Sequence, residues 1–489
     1  MKQFECGVVA AGHPETAKAA QLILESGGNA FDASLAALTA ACVAEPILAS
    51  LGGGGFLLTH TPNSNTVYDF FVQTPQRRRA ESELDFYPIH ADFGAATQEF
   101  HIGKGSIATP GVVKGIFAIH SELCSMPLRE IVAPAIELAK SGVKINRLQA
   151  YILDVISPIL NATPAAYQLY VNLTQPSRLV GEGEELAFPE LAETLELLCH
   201  EGEEIFYQGD IAKQIVTDCA DSGSLAMGDL ADYRVIKREP LETTFCGQRI
   251  LTNPLPSTGG VLIAHSLALL EKESGTLDLP ALVRAMAETN RWRAQGGLEA
   301  LYQAHPPVQR GTTHFSVADK QGNLASLTLS NGEGSAYVIP NTGVMLNNML
   351  GEEDLNPGGF HRWPLDQRLS SMMAPSMIFT NKGITYALGS GGSNRIRTAI
   401  LQVIIHLLAH GMSLREAVES PRVHFENDLL NIEPGFCGEI LAALKDGSVK
   451  TKYWPEKNLF FGGVHAVVRD ESTHILQGAG DSRRGGAVR

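Results

Sequence analysis

The chain reads as an α+β protein whose β-sheets are stacked between layers of helix. Three observations predict this. Strand-like and helix-like segments alternate along the 489 residues. The late strands come as hairpins, which disfavours a doubly wound sheet. The chain also has no nucleotide-binding fingerprint, no His-Glu-x-x-His and no Gly-x-Ser-x-Gly. No internal repeat or low-complexity segment breaks the pattern.

Composition narrows the class further. With 44% hydrophobic and 19% charged residues, the chain has ample material for a core. A net charge of −15 argues against nucleic acid and anionic membranes as partners. No run approaches the roughly 20 apolar residues of a membrane span. No secretory signal is visible near Met1, so a cytoplasmic location is expected. The seven cysteines are widely spaced, with no Cys-x-x-Cys; they are expected to be buried free thiols. Neither a metal nor another cofactor is expected.

In order, Gly7–Ala11 reads as a strand. His13-Pro14 starts a helix that Gly27-Gly28 ends. An Ala-rich helix follows from Asn29 to Val43, stopped at Glu45-Pro46. Gly52 to Gly55 allow close backbone approach into the next strand. Tyr68–Val72 is a strand, and Val112–Leu123 and Leu128–Lys140 are helices. Residues 145–240 are mainly helical in pattern, most clearly at Pro189–Cys199 and Asp210–Cys219. Cys246–Thr252 suggests a hairpin, and Val261 to Glu273 a helix. Pro306–Gly311 has the composition of an exposed, cleavable linker. Late strands are expected at Ser376–Thr380 and Gly462–Arg469, Tyr386 to Ser393 reads as a strand and then a glycine turn, and a helix is expected from about Ile396 to His410.

The segment Gly311–Asn331 carries the chemistry. Thr312–Ala318 and Leu324–Ser330 read as a hairpin around Asp319-Lys320-Gln321-Gly322-Asn323. Cleavage between Gly311 and Thr312 would leave Thr312 with a free α-amine beside its own hydroxyl. That is a nucleophile with a built-in base. The alternative is an ordinary surface hairpin.

Thr312-Thr313-His314-Phe315-Ser316-Val317 resembles the start of the small subunit in the γ-glutamyltransferase family, and the resemblance extends from about Gly7 to Gly486. It implies an N-terminal-nucleophile hydrolase: one four-layer αββα domain over residues 1–489, cut into a large part, 1–311, and a small part, 312–489. By the same resemblance, Thr312 is nucleophile and base. Gly391 and Gly392 form the oxyanion hole. Ser330, or Thr328, supports the nucleophile. Ser370, Ser371, Asn331 and Glu352 bind substrate. The expected partner is a small amide or peptide such as glutathione, attacked to give an acyl-Thr312 ester, and the two parts could pair into a dimer. One departure stands out. Phe71 occupies the position where the family has its glutamyl-binding arginine, and Arg77, Arg78, Arg79 or Arg395 are candidates to replace that charge. Two other functions remain open. One is an acylase for a different amide, such as a cephalosporin side chain. The other is an uncut, inactive homologue serving as a binding protein.

Overall fold

The structure, a computed structural model, describes residues 5–92, 97–273, 277–297, 311–352, 355–356, 359–438, 441, 444 and 449–489. Residues 306–310 of the linker expected from sequence lie outside these. The strands of the two main sheets are Gly7–Ala11 (β1), Gly54–Thr61 (β2), Ser64–Phe70 (β3), Ile236–Arg238 (β4), Leu241–Phe245 (β5), Gln248–Thr252 (β6), Thr312–Asp319 (β7), Leu324–Ser330 (β8), Ser376–Phe379 (β9), Ile384–Gly391 (β10), Gly463–Asp470 (β11), Leu476–Ala479 (β12) and Ala487–Val488 (β13). The first sheet is seven-stranded, in the order β13-β1-β7-β8-β2-β3-β4. The second is six-stranded, in the order β12-β11-β10-β9-β6-β5. The helices used below are Pro14–Glu25 (α1), Ala30–Ala44 (α2), Val112–Leu123 (α3), Leu128–Ser141 (α4), Arg147–Val155 (α5), Thr258–Leu270 (α6), Leu279–Ala294 (α7) and Arg395–Leu408 (α8).

Local chemistry explains most of these elements. His13 caps α1 by accepting from the Glu15 N–H, and Pro14 fills the first turn. Asn29 and Asp32 form a capping box on α2. Every residue of α2 is buried, as expected of a helix apolar on all sides. It lies against β7 and β8, while α1 lies against β1. The opposite face of β7 meets β10 and β11, and α8 packs on the far side of those strands.

The hairpin β7–β8 sits at the centre, in register from Thr312 opposite Ser330 to Ala318 opposite Leu324. Its alternation has a clear purpose. Leu327 and Leu329 face the helix-side core. The hydroxyl residues face the second sheet, where Ser316 donates to the His465 carbonyl at 3.1 Å and Ser326 to the Leu388 carbonyl at 2.9 Å. Buried hydroxyls thus tie the two sheets together without leaving a donor unpaired. The glycine run before β2 serves close packing: a Cβ on Gly53 would collide with the Ser330 carbonyl.

The structure corrects several expectations. Residues 145–240 are mainly helical as expected and the strand region read through Val235 and Ile236 is β4, but the two-residue strand Glu185–Leu186 had no sequence signal. Helix α7 had no sequence signal assigned to it. All seven cysteines are free, but Cys42 and Cys219 alone are buried, while Cys246 and Cys437 are exposed. No described helix is long and apolar enough to cross a membrane.

Candidate active site

Thr312 is the first residue of β7 and is 3% exposed. On one side, across the ladder, stands Ser330. The Ser330 hydroxyl donates to the Gly311 carbonyl and accepts from the Gly332 N–H. It therefore holds the carbonyl of the Gly311–Thr312 bond. The Gly311 N–H donates to Glu333 Oε1 at 3.1 Å. Asn331 follows at the end of β8, donating to the Met345 carbonyl at 3.4 Å. Glu352 is buried close by: a Cβ on Gly332 would collide with its Oε1 and with Asn348 Oδ1. Ser330, Asn331 and Glu352 thus gather on the β8 side of Thr312.

Gly391 ends β10 directly against Thr312; a Cβ there would collide with the Thr312 carbonyl. Gly392 follows with φ of 115°, a conformation glycine adopts freely. The pair is thus fitted to its place by close approach and by backbone shape.

Other expected site residues fall elsewhere. Thr328 is occupied by His314, whose Nδ1 is 2.9 Å from its hydroxyl. Burial holds the His314 ring well below the usual histidine pKa, so it is neutral. Ser371 accepts from the Met373 N–H through its hydroxyl and from the Thr258 N–H through its carbonyl, bracing the start of α6. Neither Ser370 nor Ser371 lines the cavity beside Thr312. Phe71 is 1% exposed and stacks on Phe56 with centroids 5.4 Å apart. It belongs to the buried core around β2.

None of the proposed replacement arginines lines the cavity either. Arg77 is exposed. Arg78 lies over the Trp363 ring at 5.4 Å. Arg79 donates to the Ala220 carbonyl at 2.6 Å. Arg395 donates to the Phe460 carbonyl at 2.9 Å and covers its ring. The cation that does reach Thr312 is Arg484, whose Nη1 lies 3.5 Å from the Thr312 carbonyl.

On the β1 side of Thr312 is a cavity with Thr312, Thr313 and Gly391 in its wall. Apolar residues from the end of α2 and from α5 supply much of the rest, including Ile47, Leu48, Leu148 and Ile152. Its polar side chains include His13, Glu45, Asn146, Gln149, His314, His465 and Arg484. Glu45 accepts from Thr313 Oγ1 at 2.6 Å and from Thr16 Oγ1 at 2.8 Å. Burial raises its carboxyl above the usual range, outweighing those two donors. Burial brings His465 down to about 4. Its Nδ1 accepts from the Asp481 N–H at 3.3 Å, so the neutral ring carries its proton on Nε2. Burial also lowers His13.

Sequence reasoning missed Glu45, His465 and Arg484. Glu45 was visible merely as a helix end, His465 as a residue inside a strand, and Arg484 as part of a glycine-rich tail.

A central hairpin opened by a buried threonine whose carbonyl lies against Gly391 fits one class, the N-terminal-nucleophile hydrolases. The chain belongs to the gamma-glutamyltranspeptidase family, whose model matches residues 16–305 and 284–489. It is 30% identical to the acylase ACY 1 proenzyme of Pseudomonas sp. (strain SE83), over 94% of this chain and 89% of that one. It is 27% identical to the glutathione hydrolase proenzyme of Bacillus subtilis (strain 168), over 99% and 91%. The cephalosporin acylase from Bacillus halodurans shares the fold, with a TM-score of 0.83 at 22% identity, covering 100% of this chain and 96% of that one.

Proposed function

We propose that this chain is a self-cleaving amide hydrolase or acyltransferase with Thr312 as its nucleophile. The observation that carries the reading is the Ser330 hydroxyl on the Gly311 carbonyl, opposite Thr312 at the head of a buried strand. In the first step Thr312 Oγ attacks the Gly311 carbonyl carbon. The Gly311–Thr312 amide bond breaks, the hydroxyl proton passes to the departing nitrogen, and an ester joins the two parts. Water then hydrolyses the ester, leaving a Gly311 carboxylate and a free Thr312 α-amine. That amine has an ordinary pKa near 7.7–8.0 and suits the role of base in turnover. It takes the Thr312 proton as the substrate carbonyl is attacked and gives it to the leaving amine. Water or an acceptor amine then releases the acyl group.

The Gly391 and Gly392 N–H groups are the proposed oxyanion donors, aided by the lack of side chains. Ser330 supports the nucleophile. The layer order is helix, sheet, sheet, helix, in one αββα domain, with 1–311 and 312–489 as its two parts.

Two substrate readings follow from the family. One is a γ-glutamyl amide such as glutathione, for which Ser370, Ser371, Asn331 and Glu352 are the binding candidates. The other is a different amide, as for the acylases. Phe71, buried where the arginine is expected, favours the second. Thr312→Ala should give an uncut, inactive chain, and Thr312→Ser should keep some of both activities. An alanine variant that still splits before residue 312 would exclude Thr312 as the cleaving group.

A further inference from the structure

We infer that Glu333 is a positioning residue of the self-cleavage: by accepting from the Gly311 N–H, its carboxylate fixes the residue whose carbonyl Thr312 attacks. The inference rests on the Thr312 reading and deepens it.

Gly311 has no side chain to pack, and a glycine backbone is freer than that of any other residue. Attack on the Gly311 carbonyl carbon needs that carbonyl kept at one angle to Thr312 Oγ. Ser330 holds its oxygen. One contact leaves the glycine free to swing about it. A second contact, on the Gly311 N–H, removes that freedom, and Glu333 Oε1 supplies it at 3.1 Å. The two contacts lie on either side of the Gly311 Cα, so together they set the rotation that aims the carbonyl. The space around Gly311 is equally closed. A Cβ there would collide with the Gly332 carbonyl and lie 3.4 Å from the Glu333 carboxyl carbon.

The turn after β8 explains why Glu333 is in reach. The strand ends at Ser330, and Asn331-Gly332-Glu333-Gly334 doubles back. Gly332 and Gly334 have φ of 64° and 86°, a region that glycine enters without strain. Asn331 and Glu333 form a bridge across the turn. The Glu333 N–H donates to Asn348 Oδ1 at 2.8 Å, and Asn348 Nδ2 donates to the His101 carbonyl at 3.3 Å. The residue is 6% exposed, and its backbone is anchored independently of Gly311. Glu333 also acts on Arg484. Burial, and then repulsion from Arg395, lower that guanidinium to about 10, and the Glu333 charge opposes them. Alanine or glutamine at position 333 removes this attraction equally. Glutamine keeps an acceptor for the Gly311 N–H and alanine does not, so comparing the two isolates the contact from the charge.

Cleavage is followed on full-length chains made by cell-free synthesis, sampled over time and separated on denaturing gels. Glu333→Ala should be cut about 10- to 100-fold more slowly than the parent, the rate equivalent of stranding one buried donor. Glu333→Gln should stay within about fivefold of the parent, since a neutral acceptor is weaker than a charged one. Hydroxylamine at neutral pH cleaves an ester far faster than an amide. It should not restore the alanine variant, because Glu333 acts before the ester forms. An alanine variant cut as fast as the parent, a glutamine variant as slow as alanine, or full rescue by hydroxylamine would overturn the inference. If the alanine variant shows no cooperative urea unfolding, Glu333→Asp takes its place. It keeps the charge and draws the acceptor back by one methylene, so it should be as slow as expected for alanine, and parental speed would count against the contact. Failure of the Thr312 reading shows separately, as a parent chain that never splits before residue 312 or a Thr312→Ala chain that does.

Discussion

Glu45 gathers two buried hydroxyls, Thr16 and Thr313, onto one carboxyl group one residue away from the proposed nucleophile. Replacing it with leucine should leave both hydroxyls without that partner. Each stranded group costs about 1–3 kcal/mol, so Glu45→Leu should unfold at markedly lower urea. Glu45→Gln can still pair with both and should stay close to the parent. The pH dependence carries a sign. Burial raises the folded pKa of Glu45 above the usual carboxyl range, so the folded state favours the proton. The group's contribution is full below the unfolded pKa and is lost as pH rises through the folded one. Urea midpoints measured upward from pH 4 should therefore fall less steeply for Glu45→Gln. An identical slope in both proteins would show that Glu45 is not held neutral.

At the scale of elements, the hairpin and the edge of β3 decide how the site is framed. Phe71 follows β3 directly and packs on Phe56 between the sheets. Phe71→Arg should therefore not create a glutamyl site. It should bury an unpaired cation and lower stability by at least about 3 kcal/mol, read as a large drop in melting temperature. A stable variant with improved γ-glutamyl turnover would contradict this placement. What could be read from sequence follows the range of the interactions. The hairpin, α1, α2, α3 and α4 were legible because caps, turns and hydroxyl–apolar alternation act over a few residues. The groups that complete the cavity were not legible. Arg484 reaches Thr312 from 172 residues away in the chain, and Thr313 meets Glu45 across 268. No local pattern encodes such pairings. The same holds for Phe71, whose own carbonyl accepts from the Tyr233 hydroxyl at 2.6 Å and from Arg368 at 2.8 Å.

Across the whole molecule, a buried cluster of Arg422, Asp481, Arg483 and Glu433 anchors the C-terminal turn that carries Arg484. Burial by itself would raise the Asp481 pKa, but Arg422 and Arg483 bring it down to about 2, below the usual aspartate range. Its stabilisation is present above the unfolded pKa and is lost as pH falls from about 4 toward 2. The shift corresponds to roughly 2 kcal/mol. Asp481→Asn should lose this acid-linked step. At neutral pH it should be destabilised by about 3–5 kcal/mol, because it takes the carboxylate partner from the buried Arg422, while Arg483 keeps Glu433. Stability against pH for both proteins checks the point, and an unchanged acid step in Asp481→Asn would contradict it.

The central claim is that Thr312 cuts its own chain and then works from the new terminus. Intact mass measurement of the purified protein, with terminal sequencing of the smaller part, tests it most directly. The account predicts two components, residues 1–311 and 312–489, the second opening with a free Thr312, and one uncut component for Thr312→Ala. A single uncut mass for the unmutated protein, or a cut at any other bond, would contradict it.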